Sequence, residues 1–346
     1  SSAAQYAADA ERLLSVTAGM AECEWPLEDH AWLRLRQRSV LKRTAFGREA
    51  LKEFDDAPIL MDTRRKTMNQ DDGADQVNQG ELLRVAEREK IPILGCRAYH
   101  SKSSKEPDLR ADLIDDDNFR GLSSFLQLCV GARVLLTQNL WVEAGLTNGA
   151  MGTVRGFVWP SGGGPQAKEE EKRAPVCIVI EFDDVDLGQE MDVDERGVPR
   201  TDPKGQLRYR PRMFFPSKAE ALGVNSNGKL CASQLVPLFR SNVAADGGEV
   251  ILSRQQFPLV LAWALTHWKA QGMTLRRARV RLGQRIAAQP GIAFVAVTRV
   301  KHPSHLVFDT DLPDYEHFQK AQWTPNFRAR KRFDWRLAAK ASRTLR

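Results

Sequence analysis

The spacing of hydrophobic and polar positions changes several times along the chain, and those changes divide it. Ala3 to Ala18 mixes apolar and polar residues with helical spacing, and a second helix opens at Trp25-Pro26-Leu27-Glu28-Asp29. Proline suits a first helical turn because it has no amide hydrogen to leave unpaired, and the acids behind it face the positive end of the helix. Pro58 to Met61 reads as a short buried strand, Gln76 to Arg88 as a helix, and Ile91 to Ala98 as another strand. Strand, helix and strand in that order predict a parallel α/β layer.

After the polar stretch from Lys102 to Asp117 the texture becomes β-rich. Ala132 to Thr137, Gly152 to Trp159 and Val176 to Phe182 are apolar runs divided by turn residues, with Thr147-Asn148-Gly149 the strongest turn signal. Ser161 to Pro165 and Glu169 to Arg173 read as a flexible hairpin tip or insertion, and Asp183 to Gln206 as an acidic loop punctuated by Gly and Pro. A small antiparallel barrel is the simplest architecture for this middle region. From Phe257 the α/β pattern resumes, with an apolar run from Pro258 to Trp268 and strand-like runs at Ala278 to Leu282 and Phe294 to Val297. The expected organisation is a discontinuous α/β domain at 1–125 and 255–312, with 1–50 a helical lead-in. An inserted barrel fills 126–254, and 313–346 form a tail.

Composition adds limits. A chain of 346 residues can bury a good core, and roughly two domains is the prior. No apolar run approaches a membrane span, so no membrane partner is expected. The first residues are not a secretory signal, and the absence of an initiator methionine suggests a processed or truncated chain. Five scattered cysteines (Cys23, Cys96, Cys129, Cys177 and Cys231) form no C-x-x-C pair, which predicts reduced thiols in an intracellular protein rather than a zinc site or disulfide frame. The six histidines show no metal-binding pair or triad, and no metal site is expected.

The formal charge of +7 resides in the tail: from Arg328 onward there are eight basic residues against Asp334, so the tail sums to 8 − 1 = +7 and the rest to zero. With Phe327, Phe333 and Trp335 interleaved, this segment suits a nucleic-acid backbone with stacking contacts; a solvated terminus is the competing reading.

The chemistry-bearing stretch is Thr266-His267-Trp268-Lys269-Ala270-Gln271-Gly272-Met273-Thr274, followed by the apolar run that delivers Thr298 and Arg299. Two hydroxyls, a point charge, a two-way amide and a glycine that lets backbone approach closely are a set suited to a phosphate-bearing strand. A plain strand-turn-helix with helix-capping polar residues is the alternative. Together these two segments resemble the last two motifs of superfamily 1 helicases of the Pif and RecD-like type. The resemblance continues upstream in order: Glu28, Asp29, Leu33 and Arg34; Ile59 through Thr63 to Asn78; Gly131 to Asn139 with Asn148 to Val154; and Arg254 to Leu259. One departure stands out. The family has Ile-His-Lys where this chain has His267-Trp268-Lys269, so a contact made by that family histidine cannot be carried over to Trp268.

The resemblance implies a second RecA-like domain with an SH3-like barrel inserted in it. It implies that Thr266, Lys269, Gln271 and Thr274 contact single-stranded DNA, with Trp268 stacking or packing, and that Gly272 and Arg299 lie near the nucleotide. Arg299 would be an arginine finger, its forked guanidinium stabilising charge on a transferring phosphoryl group. ATP and Mg²⁺ are the implied cofactors of the complete protein, while no Gly-x-x-x-x-Gly-Lys-Ser/Thr loop completes a nucleotide site here. Val176 to Asp184 looks like a Mg²⁺-binding strand, but its place within the barrel region makes a barrel strand with an acidic turn the better reading. The chain is therefore expected to be the C-terminal part of a 5′-to-3′ DNA helicase, partnered by single-stranded DNA and by an N-terminal P-loop domain. A nucleic-acid-binding relic without turnover, or a scaffold that docks a separate ATPase domain, are the rival readings.

Overall fold

The computed structural model describes residues 3–22, 25–65, 73–102, 114–164, 166–167, 174–194, 196–212, 214, 235–245, 252–283, 291–320, 322, 324–325 and 327–334. Two compact units emerge, one of residues 1–78 with 263–346 and one of 79–262.

The first unit is built on a four-stranded sheet in the order Ala264–Thr266, Ile59–Met61, Ala278–Val280, Leu306–Phe308, with every pair parallel. Ile59, Leu60 and Met61 are all buried, as a strand flanked on both sides and covered on both faces must be. Ile59, Met61 and Ala264 pack with Ala74 at the start of helix Ala74–Glu89, and Leu51, Phe54 and Val307 form a second cluster. Helix Leu27–Arg34 starts just after Pro26 with Glu28 and Asp29 in its first turn, and helix Ala3–Glu22 precedes it. Arg12 ties the two together through Asp29 at 2.9 Å.

Asn78 explains how the outer strand is held. Its side-chain amide donates to the Ala264 carbonyl at 2.9 Å, and its side-chain oxygen accepts from the Ala264 amide at 2.8 Å. The buried amide therefore mimics one more residue of β-ladder, satisfying both polar groups of Ala264 on its open side.

The second unit holds a five-stranded antiparallel sheet in the order Leu235–Phe239, Cys177–Phe182, Met151–Val158, Arg133–Leu136, Leu259–Leu261. The Asn148-Gly149 turn lies where the sequence places it: Gly149 has φ +100°, and its amide donates to the Leu136 carbonyl at 2.8 Å. Gly152 has no alternative, since a Cβ there would meet the Glu181 carbonyl oxygen at 2.7 Å. Smaller sheets flank Leu252–Gln256 with Tyr99–Lys102 and Ser241–Ala244, and pair Leu94–Arg97 with Phe125–Leu128. Arg254 is wholly buried, yet it donates to Asp116 at 2.6 Å and to the Leu122 carbonyl at 2.8 Å, with its guanidinium 4.0 Å over the Phe119 ring. A buried charge needs such partners, and they fix the loop around it.

Three expectations are corrected. The strand Leu94–Arg97 pairs antiparallel with Phe125–Leu128 and takes no part in the parallel sheet. That sheet draws its other members from after residue 263, which local order cannot reveal. Ile292–Val297 is a helix rather than a strand, entered through Gly291 at φ +88°; a six-residue apolar run fits either state by periodicity alone. The loop expected over Asp183 to Gln206 contains built structure. Gln189–Met191 pairs with Tyr209–Pro211, and two successive turns repeat one pattern in which Asp194 and then Asp202 accept two backbone amides each. Gly197 and Gly205 supply the positive φ in those turns, at +79° and +78°.

Among the described residues no helix is long and apolar enough to cross a membrane. Phe327 is buried beneath Arg330 and Lys331, and those two cations meet Glu22, so this first part of the basic tail packs rather than presenting a stacking ring. Phe333 is exposed, and residues 335–346, with Trp335, lie outside the described residues. Replacing Asn78 by Ala should strand both polar groups of Ala264 and lower stability by about 1–3 kcal/mol, read by urea unfolding. An unchanged midpoint would show that the amide clamp does not secure the strand.

Candidate nucleic-acid and phosphate site

Each strand of the parallel sheet ends in a polar residue. Asp62 follows Met61, His267 follows Thr266, Arg281 follows Val280, and Asp309 follows Phe308. The carboxyl ends of parallel strands are where such sheets receive ligands. Asp309 is nearly buried and gathers Arg279 at 2.7 Å, Arg38 at 3.0 Å and Arg281 at 3.7 Å. That edge of the sheet is therefore rich in guanidinium groups.

The Thr266-to-Thr274 segment leaves the sheet here as a compact turn. The Thr266 hydroxyl accepts the Lys269 amide at 3.1 Å, its carbonyl accepts the Ala270 amide at 3.1 Å, and the Trp268 carbonyl accepts the Gln271 amide at 3.2 Å. Gly272 ends the turn at φ +83°, with nothing within 4 Å of where a Cβ would stand. The conformation, not crowding, is the reason for glycine. Lys269, Gln271, Gly272 and Thr274 are exposed, and Trp268 is 59 % exposed. The Thr266 hydroxyl is engaged in the turn itself, which gives it a capping role alongside any contact with a ligand.

His267 is the departure with a structural reason. It is 1 % exposed, its Nε2 lies 3.0 Å from an Asp62 carboxylate oxygen and 3.2 Å from the Arg281 carbonyl, and its amide donates to the Met61 carbonyl at 3.0 Å. Asp62 also accepts the Gly283 amide at 2.8 Å, and a Cβ at Gly283 would meet that carboxylate at 2.4 Å. Three strand ends are thus tied by one imidazole and one carboxylate. The pairing joins residues 205 apart in sequence, which local pattern does not reveal.

Arg299 joins the second segment to the first. Its Nη1 donates to the Met273 carbonyl at 2.9 Å and the Ala270 carbonyl at 3.3 Å, its Nε to the Val295 carbonyl at 2.8 Å, and its Nη2 to the Thr298 hydroxyl at 2.8 Å. Its own carbonyl accepts the Leu275 amide at 2.7 Å. Partial burial draws its pKa below the ordinary arginine value. The side chain is aimed from the end of helix Ile292–Val297, with Thr298 bonded back to Phe294 at 2.7 Å.

The remaining candidates are accounted for. Glu181 meets Arg155, and Asp183 meets Arg133 at 2.8 Å, so the acidic end of strand Cys177–Phe182 is a pair of cross-strand ion pairs. Among the described residues no cluster of three or more His, Cys, Asp or Glu side chains could hold a metal ion. His30 is buried against Trp25 and Phe318 with its Nε2 on the Pro313 carbonyl, and burial lowers its pKa. Cys96, Cys129 and Cys177 are free and buried, and burial raises their pKa values, whereas Cys23 and Cys231 lie outside the described residues. One stretch, Gly223 to Leu230, has the glycine and lysine spacing of a phosphate-binding loop. Leu230 stands where the Ser or Thr hydroxyl is required, and the stretch lies outside the described residues.

A parallel sheet in one unit, whose strand ends carry this turn, and antiparallel sheets in the other make an α/β fold. Residues 119–157 match the family described as DNA helicase Pif1, 2B domain. The chain is 32 % identical over 225 residues, 65 % of its length, to the human ATP-dependent DNA helicase PIF1, and covers 25 % of that protein. It is 31 % identical to the Psychrobacter ATP-dependent DNA helicase Pif1 over 193 residues, 52 % of this chain and 25 % of that one. The crystal structure of Pif1 helicase from Candida albicans shares the fold, with a TM-score of 0.51 at 20 % identity, over 89 % of this chain and 55 % of that chain. The chain is thus similar to Pif1 DNA helicases over part of its length, and it spans a quarter of the length of the curated relatives just named.

Arg299→Ala would leave the Met273 carbonyl without its guanidinium donor, whereas the Ala270 and Val295 carbonyls would keep the Met273 amide and the Thr298 hydroxyl. The expected cost is about 1–3 kcal/mol in unfolding free energy, with faster amide exchange across residues 268–275 than elsewhere in the unit. Unaltered exchange in that turn would mean that the guanidinium does not hold it.

Proposed function

We propose that this chain is the C-terminal part of an ATP-dependent 5′-to-3′ DNA helicase. Unit 1–78 with 263–346 serves as the second RecA-like domain, and unit 79–262 as the inserted module that contains the SH3-like barrel. Its partners are single-stranded DNA and an N-terminal P-loop domain, and an intracellular site of action, nucleus or mitochondrion, follows from that reading. The carrying observation is that two segments 26 residues apart in sequence meet through the Arg299–Met273 hydrogen bond. The candidate phosphate-sensing group and the candidate strand-binding turn are one physical unit. The order of motifs, the match over 119–157 and the similarity to ATP-dependent DNA helicases support the same reading.

Lys269, Gln271 and Thr274 grip the strand from the exposed side of the turn, and Trp268 offers its indole to a base. Gly272 lets the backbone approach a phosphate closely. The donor set of Arg299 suits phosphate oxygens, since a guanidinium fork bonds two of them at once. Mg²⁺ is assigned no ligand among the described residues. A nucleotide, when bound, supplies the phosphoryl group whose developing charge such an arginine stabilises. On this chain's side, Nη1 exchanges away from the Ala270 and Met273 carbonyls, and the turn that carries Lys269 and Gln271 is released. Strand grip and phosphate sensing are coupled by that exchange.

Arg299→Lys keeps the charge and removes the fork. In the complete protein it should lower ATP turnover by about 10³-fold or more, the range of arginine-finger losses, while single-strand binding at low salt weakens far less. Turnover at the parent rate would remove the finger assignment. Strand binding without any turnover in the parent complete protein would favour the relic instead.

A further inference from the structure

Unit 79–262 carries a second candidate nucleic-acid surface, remote in sequence from the Thr266 turn. Strand Leu94–Arg97 lies beside Phe125–Leu128, with Arg97 directly opposite Phe125. The Arg97 guanidinium stands 5.9 Å from the centre of the Phe125 ring. That ring lies across Gly95, where a Cβ would meet it at 2.7 Å, so glycine lets the ring lie down on the strand. Two residues on, the Tyr99 ring sits 4.6 Å from the Arg240 guanidinium, which also lies 4.9 Å from the buried Phe257 ring. Arg240 Nη1 donates to the Arg97 carbonyl at 3.1 Å, joining the two ring-and-cation pairs. Tyr99 and Phe125 remain about half exposed, at 49 % and 48 %.

The charge balance of this cluster differs from its surroundings. In the same unit Arg133 is paired with Asp183, Arg155 with Glu181, Arg210 with Glu190 and Arg254 with Asp116. Among the described residues neither Arg97 nor Arg240 meets a carboxylate, and Arg240 Nη2 is buried with no hydrogen-bond partner. Two uncompensated guanidinium groups interleaved with two half-exposed rings present positive charge and flat apolar faces together. Folding alone gives no reason to keep Tyr99 and Phe125 half in water beside unpaired cations. A ligand with alternating anionic and flat aromatic groups would satisfy both features at once, and unpaired nucleotides are that ligand.

We infer that Arg97, Tyr99, Phe125 and Arg240 form a stacking platform for two successive bases of a single-stranded nucleic acid, with Arg97 toward its phosphates. This rests on the nucleic-acid reading above and adds a site separate from the Thr266 turn.

The test compares the full chain with three variants, Tyr99→Leu, Arg97→Gln and Lys269→Ala. Each is titrated with a fluorescent oligothymidylate and with an abasic strand of equal length. Arg97 keeps an exposed side chain with no side-chain hydrogen bond, so Arg97→Gln leaves the fold intact even if Tyr99→Leu does not. Tyr99→Leu should weaken oligothymidylate binding about tenfold, in line with the loss of one stacked base, and leave abasic binding unchanged. Arg97→Gln should weaken both strands and reduce the slope of log affinity against log salt by about one. If Lys269→Ala weakens binding while Tyr99→Leu and Arg97→Gln bind both strands as the parent does, the platform is overturned and the turn's role stands. That same result would fit a surface that receives a protein instead. If the parent chain binds neither strand at low salt, the platform and the nucleic-acid reading both fall.

Discussion

The contact on which the candidate site depends is the guanidinium of Arg299 against the carbonyls of Ala270 and Met273. A turn that leaves the edge of a sheet has few backbone partners of its own. Here its far side is fixed by an arginine from a helix that follows in sequence, and its near side by His267 on Asp62. Between those two anchors the exposed residues Lys269, Gln271 and Thr274 keep a defined spacing. At rest four of the five N–H groups of Arg299 are engaged. A forked grip on phosphate therefore requires exchange of hydrogen bonds, and the exchange itself links the two parts of the site.

The same logic of substituted backbone partners recurs through the first unit. Asn78 stands in for a missing strand at Ala264, and the Thr266 hydroxyl caps the turn that follows. Asp309 draws three arginines to the sheet edge. In the second unit Arg133, Arg155 and Arg210 find carboxylates across strands, whereas Arg97 and Arg240 lie against aromatic rings instead.

Much of this was legible in the chain. Pro26 with the acids behind it marks a helix start, Asn148-Gly149 marks a turn, and the apolar runs at Ile59 and Ala278 mark buried parallel strands. The Thr266 segment was recognisable because its residue types and spacing answer one chemical demand. Other features depend on contacts between residues far apart in sequence. Leu94–Arg97 has the look of a parallel strand, and only its partner decides otherwise. Ile292–Val297 is too short for its period to distinguish helix from strand. The pairing of His267 with Asp62 spans about 200 residues, and neither residue announces the other. The stacked arginines are invisible for the same reason, since an unpaired cation can be known only when its surroundings are.

The central claim is that this chain grips a single nucleic-acid strand without needing a nucleotide to do so. Titration of the chain with fluorescent single-stranded DNA across a salt series, with and without ATP, tests it most directly. The predicted result is binding that weakens steeply as salt rises, through loss of counterion release, and that is indifferent to ATP. Absence of binding at low salt would contradict the claim and leave the exposed residues of the Thr266 turn without a ligand.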